Sequence, residues 1–151
     1  MEKKELNVSA IENGTVIDHI NPKSVYQIVR ILNLMGLEYP IFLGTNLDSK
    51  KYGKKGIVKV SNKFFEKDEI DKIALVAPTA TLIVIKDFRV VEKYPVSVPE
   101  QVNNIVKCVN PNCITNHEKV ATNFKVIDKK ELKLKCHYCE KITAEKNIAF
   151  I

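Results

Sequence analysis

The 151-residue sequence predicts an α+β fold: an N-terminal ferredoxin-like antiparallel sheet with two helices, plus a small C-terminal β-rich domain. Three observations carry this expectation. Two amphipathic helical segments alternate with short strand-like runs, in the order strands, helix, strands, helix, strands. The stretch Tyr94-Pro-Val-Ser-Val-Pro-Glu100 then interrupts the pattern, since each proline fixes its own φ and pushes its predecessor out of the helical region. Finally, all four cysteines lie beyond that stretch and none before it. The expected division is a first domain over 1–94, a linker over 95–100 and a second domain over 101–151.

Strand-like runs at 6–11 and 15–20 flank Asn13-Gly14, the dipeptide most typical of a tight hairpin. Asn21-Pro22 then offers a helix N-cap with proline at the first helical position. Val25, Ile28, Val29, Leu32 and Met35 recur on one helical face, and Gly36 suits the C-terminal end. Strands follow at 41–47 and 57–60. A second helix is expected from about Lys67 to Val76, with Ile70, Ile73, Ala74 and Ala77 on one side and Pro78 as the stop. Strands at 81–85 and 88–91 enclose a turn at Lys86-Asp87. Past the linker, strand-like stretches fall at 102–106, 124–127, 132–135 and 148–151.

About fifty residues with so few large apolar side chains bury little core, and modules of that size usually need a metal or disulfides. Cys108 and Cys113 form a Cys-x4-Cys pair, and Cys136 and Cys139 form a Cys-x2-Cys pair 22 residues later. Short cysteine pairs let one loop supply two thiolates to a tetrahedral metal. Four ordinary thiols would be expected to scatter through the larger domain, and two disulfides conflict with a reducing compartment. The expectation is one structural zinc ion on these four cysteines, favoured over an iron–sulfur cluster, with no open coordination position for catalysis. His117 and His137 flank the site, but the ligand set is complete without them.

No apolar run approaches the roughly 18 to 20 residues of a membrane span, and Met1-Glu-Lys-Lys-Glu-Leu6 lacks the apolar core of a signal peptide. A cytoplasmic location is therefore expected. The net charge is +6, with a surplus of three lysines and arginines on each side of Pro99. A surplus so evenly spread argues against a concentrated nucleic-acid footprint, whereas a nucleotide phosphate needs only two or three lysines.

Lys50, Lys51, Lys54 and Lys55 lie in a Gly-containing loop, Lys59 follows on a strand, and Lys93 ends another. Lysines held on strands bind phosphate as point charges, although a solvated charge run has the same sequence appearance. Asp18-His19 could bind sugar hydroxyls or a base edge. The sequence has no Walker loop, no G-x-G-x-x-G and no G-x-S-x-G, so no catalytic residue is assigned.

Gly14-Thr-Val-Ile-Asp-His-Ile20, Gly44-x-Asn-Leu47, Ala77-Pro-x-Ala-Thr81, Cys108-x-Asn-x-Asn-Cys-Ile114 and Cys136-x-Tyr-Cys-Glu-Lys141 together resemble the regulatory chain of aspartate carbamoyltransferase. The resemblance runs in order over nearly the whole chain. It implies a non-catalytic subunit with an N-terminal allosteric domain that binds CTP and ATP, and a C-terminal zinc domain that docks on the catalytic chain. It further implies regulatory-chain homodimers that bridge two catalytic trimers in pyrimidine biosynthesis. Carried over by position, the base and ribose contacts are Val8, Ala10, Ile11, Asp18, His19, Ile85 and Val90. The phosphate contacts are Lys59 and Lys93, with Lys55 nearby. Asn110, Asn112 and Glu140 are implied to face the catalytic chain. Ser9, Ile83 and Phe88 stand where the family carries Glu, Asn and Tyr, which removes or shortens polar groups near the base or sugar and leaves the CTP-against-ATP preference open.

Two other readings compete. A basic chain with a four-cysteine module could be a zinc-ribbon nucleic-acid-binding protein, although it lacks a basic stripe interleaved with aromatics. A small enzyme using Asp18-His19 is the third.

Overall fold

The computed structural model describes residues 10–151, and the chain divides into two compact units between Ser97 and Val98. In the first unit, strand β1 (Gly14–Ile20) leads to helix α1 (Val25–Ile31), strands β2 (Ile41–Ser49) and β3 (Gly53–Ser61), helix α2 (Lys67–Val76), and strands β4 (Thr81–Lys86) and β5 (Arg89–Pro95). The strands lie side by side as β2-β3-β1-β4-β5, and every pair is antiparallel. The first four make the ferredoxin-like arrangement, and β5 extends it by one edge strand.

Alternation along the strands decides which side the helices cover. Ile17 of β1, Val58 and Val60 of β3 and Leu82 of β4 are all almost wholly buried, in one core with Ile28 and Val29 of α1 and Ile73 and Ala74 of α2. Ile20 joins them because the register shifts between Ile17 and Ile20, where His19 turns left-handed. Packing is closest at Gly56, where a Cβ would come within 2.0 Å of Val25 Cγ2. The Asn21-Pro22 cap forms, with the Asn21 side chain accepting from the Lys23 amide at 3.0 Å. It opens a 3-10 turn over Pro22–Ser24, however, and α1 itself starts after it at Val25 with no side-chain cap. At the start of α2, Glu69 reaches back to accept from the Glu66 amide at 2.9 Å.

Two expectations for this unit need correction. The first helix does not run to Met35: it stops at Leu32, Asn33 turns left-handed at φ 52°, and a short 3-10 turn follows. That change of path buries Leu34 completely and leaves Met35 exposed. Nor does Asn13-Gly14 join a hairpin. Strand β1 is central, with β3 on one edge and β4 on the other, and Ala10 and Ile11 are not in a strand. The rest of the expected strand over 6–11 lies outside the described residues. Asn13 instead ties two elements to the start of β1: its carbonyl accepts from Asn62 at 2.8 Å and its side chain from the Asp87 amide at 3.1 Å.

The second unit contains β6 (Gln101–Asn103), β7 (Val106–Lys107), β8 (Asn123–Asp128), β9 (Lys133–Cys136), β10 (Ile142–Ala144) and β11 (Ala149–Phe150). A four-stranded sheet runs β10-β9-β8-β6, and β11 pairs separately with β7. The expected strand over 102–106 is two strands, broken where Asn104 turns left-handed at φ 56°. Val102, Val106, Phe124 and Leu134 are fully buried, and with three buried cysteines they make a core of few residues.

Candidate metal centre and anion-binding face

Cys108 follows β7, Cys113 sits ahead of a 3-10 turn, and Cys136 ends β9 with Cys139 in the turn after it. These loops bring all four sulfurs within 4.8 Å of one another. Two of the separations are 3.6 Å (Cys108–Cys139) and 3.8 Å (Cys113–Cys136). A tetrahedron with zinc–sulfur bonds of about 2.3 Å requires sulfurs about 3.8 Å apart, so the donor set fits the ion in number, kind and size. The loops are tied from behind. Asn116 Nδ2 donates to the carbonyls of Cys108 (3.1 Å) and Asn110 (2.7 Å), and Thr115 Oγ1 donates to Cys113 Sγ at 3.2 Å.

The site's electrostatics make the same demand. Cys108, Cys113 and Cys136 are buried, and burial pushes the Cys108 thiol up to about 12 and raises Cys136 as well. At Cys113 and Cys139 burial is outweighed by hydrogen bonds, which lower the first and bring the second down to about 6. Buried thiols of that kind do not ionise together unless a divalent cation supplies the opposing charge.

The expected anion residues lie on the first unit's sheet. Val16 of β1 is paired with Lys59 of β3 on one side and Ile83 of β4 on the other, and Ile83 is paired with Lys93 of β5. Lys59, Val16, Ile83 and Lys93 therefore form one row across four strands, on the face opposite the helices. Alternation along β1 puts Asp18 on that face as well. The next row includes Gly14, Ile85 and Val90, the last exposed on β5.

Asp18 accepts from its neighbour's amide, His19 N, at 2.6 Å and pairs with Lys55 Nζ at 2.9 Å. Burial lowers the Lys59 ammonium from its ordinary value, and the Asp18 charge opposes that effect. His19 itself is left-handed at φ 60°. Its buried Nδ1 lies 3.9 Å from Asp18 Oδ2, too far for a hydrogen bond. The imidazole borders a cavity of about 530 Å³ shared with Asn46, Tyr52, Lys54 and Thr79. Of the described residues expected at the anion site, His19 and the loop lysine Lys54 line this cavity. Ala10 is exposed, Ile11 is buried, and Val8 lies outside the described residues.

The family model for the allosteric domain of the aspartate carbamoyltransferase regulatory chain matches residues 6–97, and that for the regulatory chain's metal binding domain matches residues 100–149. The regulatory chain of Bacteroides fragilis is 50% identical, over 99% of this chain and 97% of its own length. Those of Pyrococcus horikoshii and Thermococcus sibiricus are 52% and 53% identical, each over at least 95% of both chains. The chain belongs to the aspartate carbamoyltransferase regulatory chain family.

As a member of that family it is a regulatory and not a catalytic polypeptide, and its C-terminal unit is a metal-binding domain whose cysteine cluster holds one zinc ion. Asn110, Asn112 and Glu140 all lie in the metal loops. The Asn110 side chain accepts from the Asn112 amide at 3.0 Å, and Glu140 is exposed in a left-handed turn at φ 64°. Sequence reasoning named neither Asn116 and Thr115, which tie these loops, nor Tyr52 and Thr79 beside His19. An asparagine three residues past Cys113 carries no motif. Thr79, whose hydroxyl donates to the His19 carbonyl at 2.8 Å, is 60 residues away from it in the chain. No helix among the described residues is long and apolar enough to cross a membrane.

Proposed function

We propose that this chain is the effector-binding subunit of a cytoplasmic aspartate carbamoyltransferase, taking nucleoside triphosphates on the helix-free face of its N-terminal unit and docking on catalytic trimers through its zinc domain. The observation that carries the effector site is the cross-strand row Lys59–Val16–Ile83–Lys93. Two ammonium groups on flexible four-carbon stems flank an apolar floor, so both can converge on one polyphosphate. Neighbouring strands lie about 4.8 Å apart, which separates the two lysine backbones by roughly 14 Å, a span suited to a triphosphate and not to a single phosphate.

Around the row, Ile85 and Val90 supply apolar surface for a base or ribose, and Asp18 and His19 supply polar groups. Ala10, Ile11 and Val8 complete the set on the family pattern, with Lys55 held near by Asp18. Residues 1–94 act as the allosteric domain, 95–100 as linker and 101–151 as the docking domain. In the latter, Cys108, Cys113, Cys136 and Cys139 hold the zinc and present Asn110, Asn112 and Glu140 to the catalytic chain. Two such chains associate through their N-terminal domains.

Control of carbamoyl transfer then follows by linkage. A nucleotide alters activity only to the extent that it binds one quaternary state better than the other, commonly by about 1–3 kcal/mol. With Ile83 and Phe88 contributing no polar group at these positions, the choice between CTP and ATP rests on fewer hydrogen bonds.

The test is to mix the chain with aspartate carbamoyltransferase catalytic trimers, with zinc or with a chelator, and to follow assembly and CTP or ATP response together. A larger complex that needs zinc and responds to nucleotide is expected. Failure to assemble with metal present would remove the subunit assignment, and salt-sensitive micromolar binding to nucleic acid would replace it with the zinc-ribbon reading.

A further inference from the structure

The four-stranded sheet of the C-terminal unit has one face in its core and one face outward. Val102, Phe124, Val126, Leu134, Cys136 and Thr143 point inward and are buried. On the outward face the register puts Gln101, Lys125, Lys135 and Ile142 in a single row across β6, β8, β9 and β10. Lys125 and Lys135 are direct cross-strand neighbours, both exposed, and neither has an ion-pair partner among the described residues. Like charges directly opposite one another destabilise a sheet, so this pair works against the fold of the isolated chain.

The neighbouring outward positions do not relieve it. Asn103 and Asn123 are paired with each other, and His137 donates its amide to the Asn123 carbonyl at 2.8 Å. None of these carries a carboxylate. The next outward row on the other side puts Lys133 opposite Asp128 and Ala144. The acids there, Asp128 and Glu131, thus already face Lys133, while Glu100 pairs with Lys129. Beside the lysines, Ile127 and Ile142 are 44% and 53% exposed. The face thus carries two adjacent cations, amide groups and two exposed isoleucines, with no acid in the row. Burying such a face requires a partner that brings carboxylates opposite the lysines and apolar groups opposite the isoleucines.

We propose that the outward sheet face centred on Lys125 and Lys135 is a second docking surface, which seats on an acidic strip of the catalytic chain and is distinct from the contact made by the zinc loops. This rests on the subunit reading above. It places the lysine pair where a partner's carboxylates turn a repulsive contact into an attractive one, so that the charge strain of the free chain is released on assembly. It also makes one ion serve two contacts, because Cys136 lies on β9 next to Lys135 and the sheet behind the row depends on the metal core.

The experiment uses the full-length chain with zinc bound, as wild type, Lys125→Glu/Lys135→Glu and Lys125→Arg/Lys135→Arg, titrated into catalytic trimers at several salt concentrations. Zinc content and nucleotide affinity are measured on each chain alone. The charge-reversed protein is expected to keep both properties yet assemble at least tenfold more weakly, with a flatter salt dependence, while the arginine variant assembles like wild type. Equal assembly of wild type and the glutamate variant would overturn this surface and leave the subunit reading standing. Failure of wild type to assemble at all would instead remove the subunit reading. Loss of duplex or single-strand binding in the glutamate variant, with assembly untouched, would assign the lysines to nucleic acid and also overturn the proposal.

Discussion

At the scale of single residues, Lys59 is the side chain on which the proposed effector site depends most. Its ammonium is partly withdrawn from water in mid-sheet, and burial lowers it from the ordinary 10.5. A hydrogen bond to a charged partner contributes about 1.5–3 kcal/mol when well made. Lys59→Ala should therefore weaken triphosphate binding by tenfold or more in a calorimetric titration, without changing zinc content.

The direction of the shift gives a second expectation. In the free protein the lysine begins to lose its proton below 10.5, and an arriving polyanion favours the charged form and restores it. Binding in the alkaline range just below 10.5 should take up protons, measurable as a buffer-dependent heat, and Lys59→Ala should abolish that uptake.

Between elements, fit is set by a few positions with no side chain to spare. A methyl at Gly56 would meet Val25 Cγ2 at 2.0 Å, where α1 crosses β3. Gly56→Ala should accordingly destabilise the N-terminal unit by about 1–3 kcal/mol, the usual cost of overpacking, seen as a lower denaturation midpoint. Asn33 is the matching case for backbone: at φ 52° it ends α1 and starts the turn that buries Leu34. Replacing it with Ala should cost about 1 kcal/mol, and replacing it with Gly very little, in the same measurement.

These elements also show what the sequence makes legible. Helix α2 reads directly, since its apolar stripe and Pro78 agree, and the structure adds the reciprocal cap between Glu66 and Glu69. Helix α1 reads correctly only as far as Leu32, because a left-handed asparagine looks like any other polar residue in a periodic run. Asn13-Gly14 has the composition of a hairpin turn, but both edges of β1 are filled by strands much later in the chain, a fact no local window contains. The three-residue β10 gives no alternation to detect, and only the turn closed by Cys136 and Cys139 returns it beside β9. The four cysteines, by contrast, are plain from spacing alone. The lysine row is half visible: period two assigns Lys59 a face, and tertiary pairing is needed to bring Lys93 into line with it.

For the whole molecule, the two units depend on different kinds of cohesion. The N-terminal one has a continuous apolar core against its sheet, whereas the C-terminal one gathers a handful of side chains around Phe124 and the cysteine cluster. Structural zinc contributes apparent binding energies of about 10–16 kcal/mol in small domains, which exceeds the roughly 3–5 kcal/mol that a core this small supplies. Chelation should unfold 98–151 and abolish assembly with catalytic trimers, while nucleotide binding by the N-terminal unit survives. Circular dichroism and calorimetry on the chelated chain would record both outcomes.

The central position of β1 sets the timetable on which the chain can become a protein. Gly14 is among the first described residues to leave the ribosome, yet its neighbours are Ser61 on one side and Ile85 on the other. Residues 14–20 therefore wait for Ser61 before one edge is satisfied and for Ile85, past the middle of the chain, before the other is. Until β4 emerges they hold an apolar strand with an unpaired edge. Such long-range pairing slows folding and exposes the nascent chain to mispairing. A chain halted after β3 should consequently fail to fold, and the N-terminal unit should close only once Lys86 is clear of the exit tunnel.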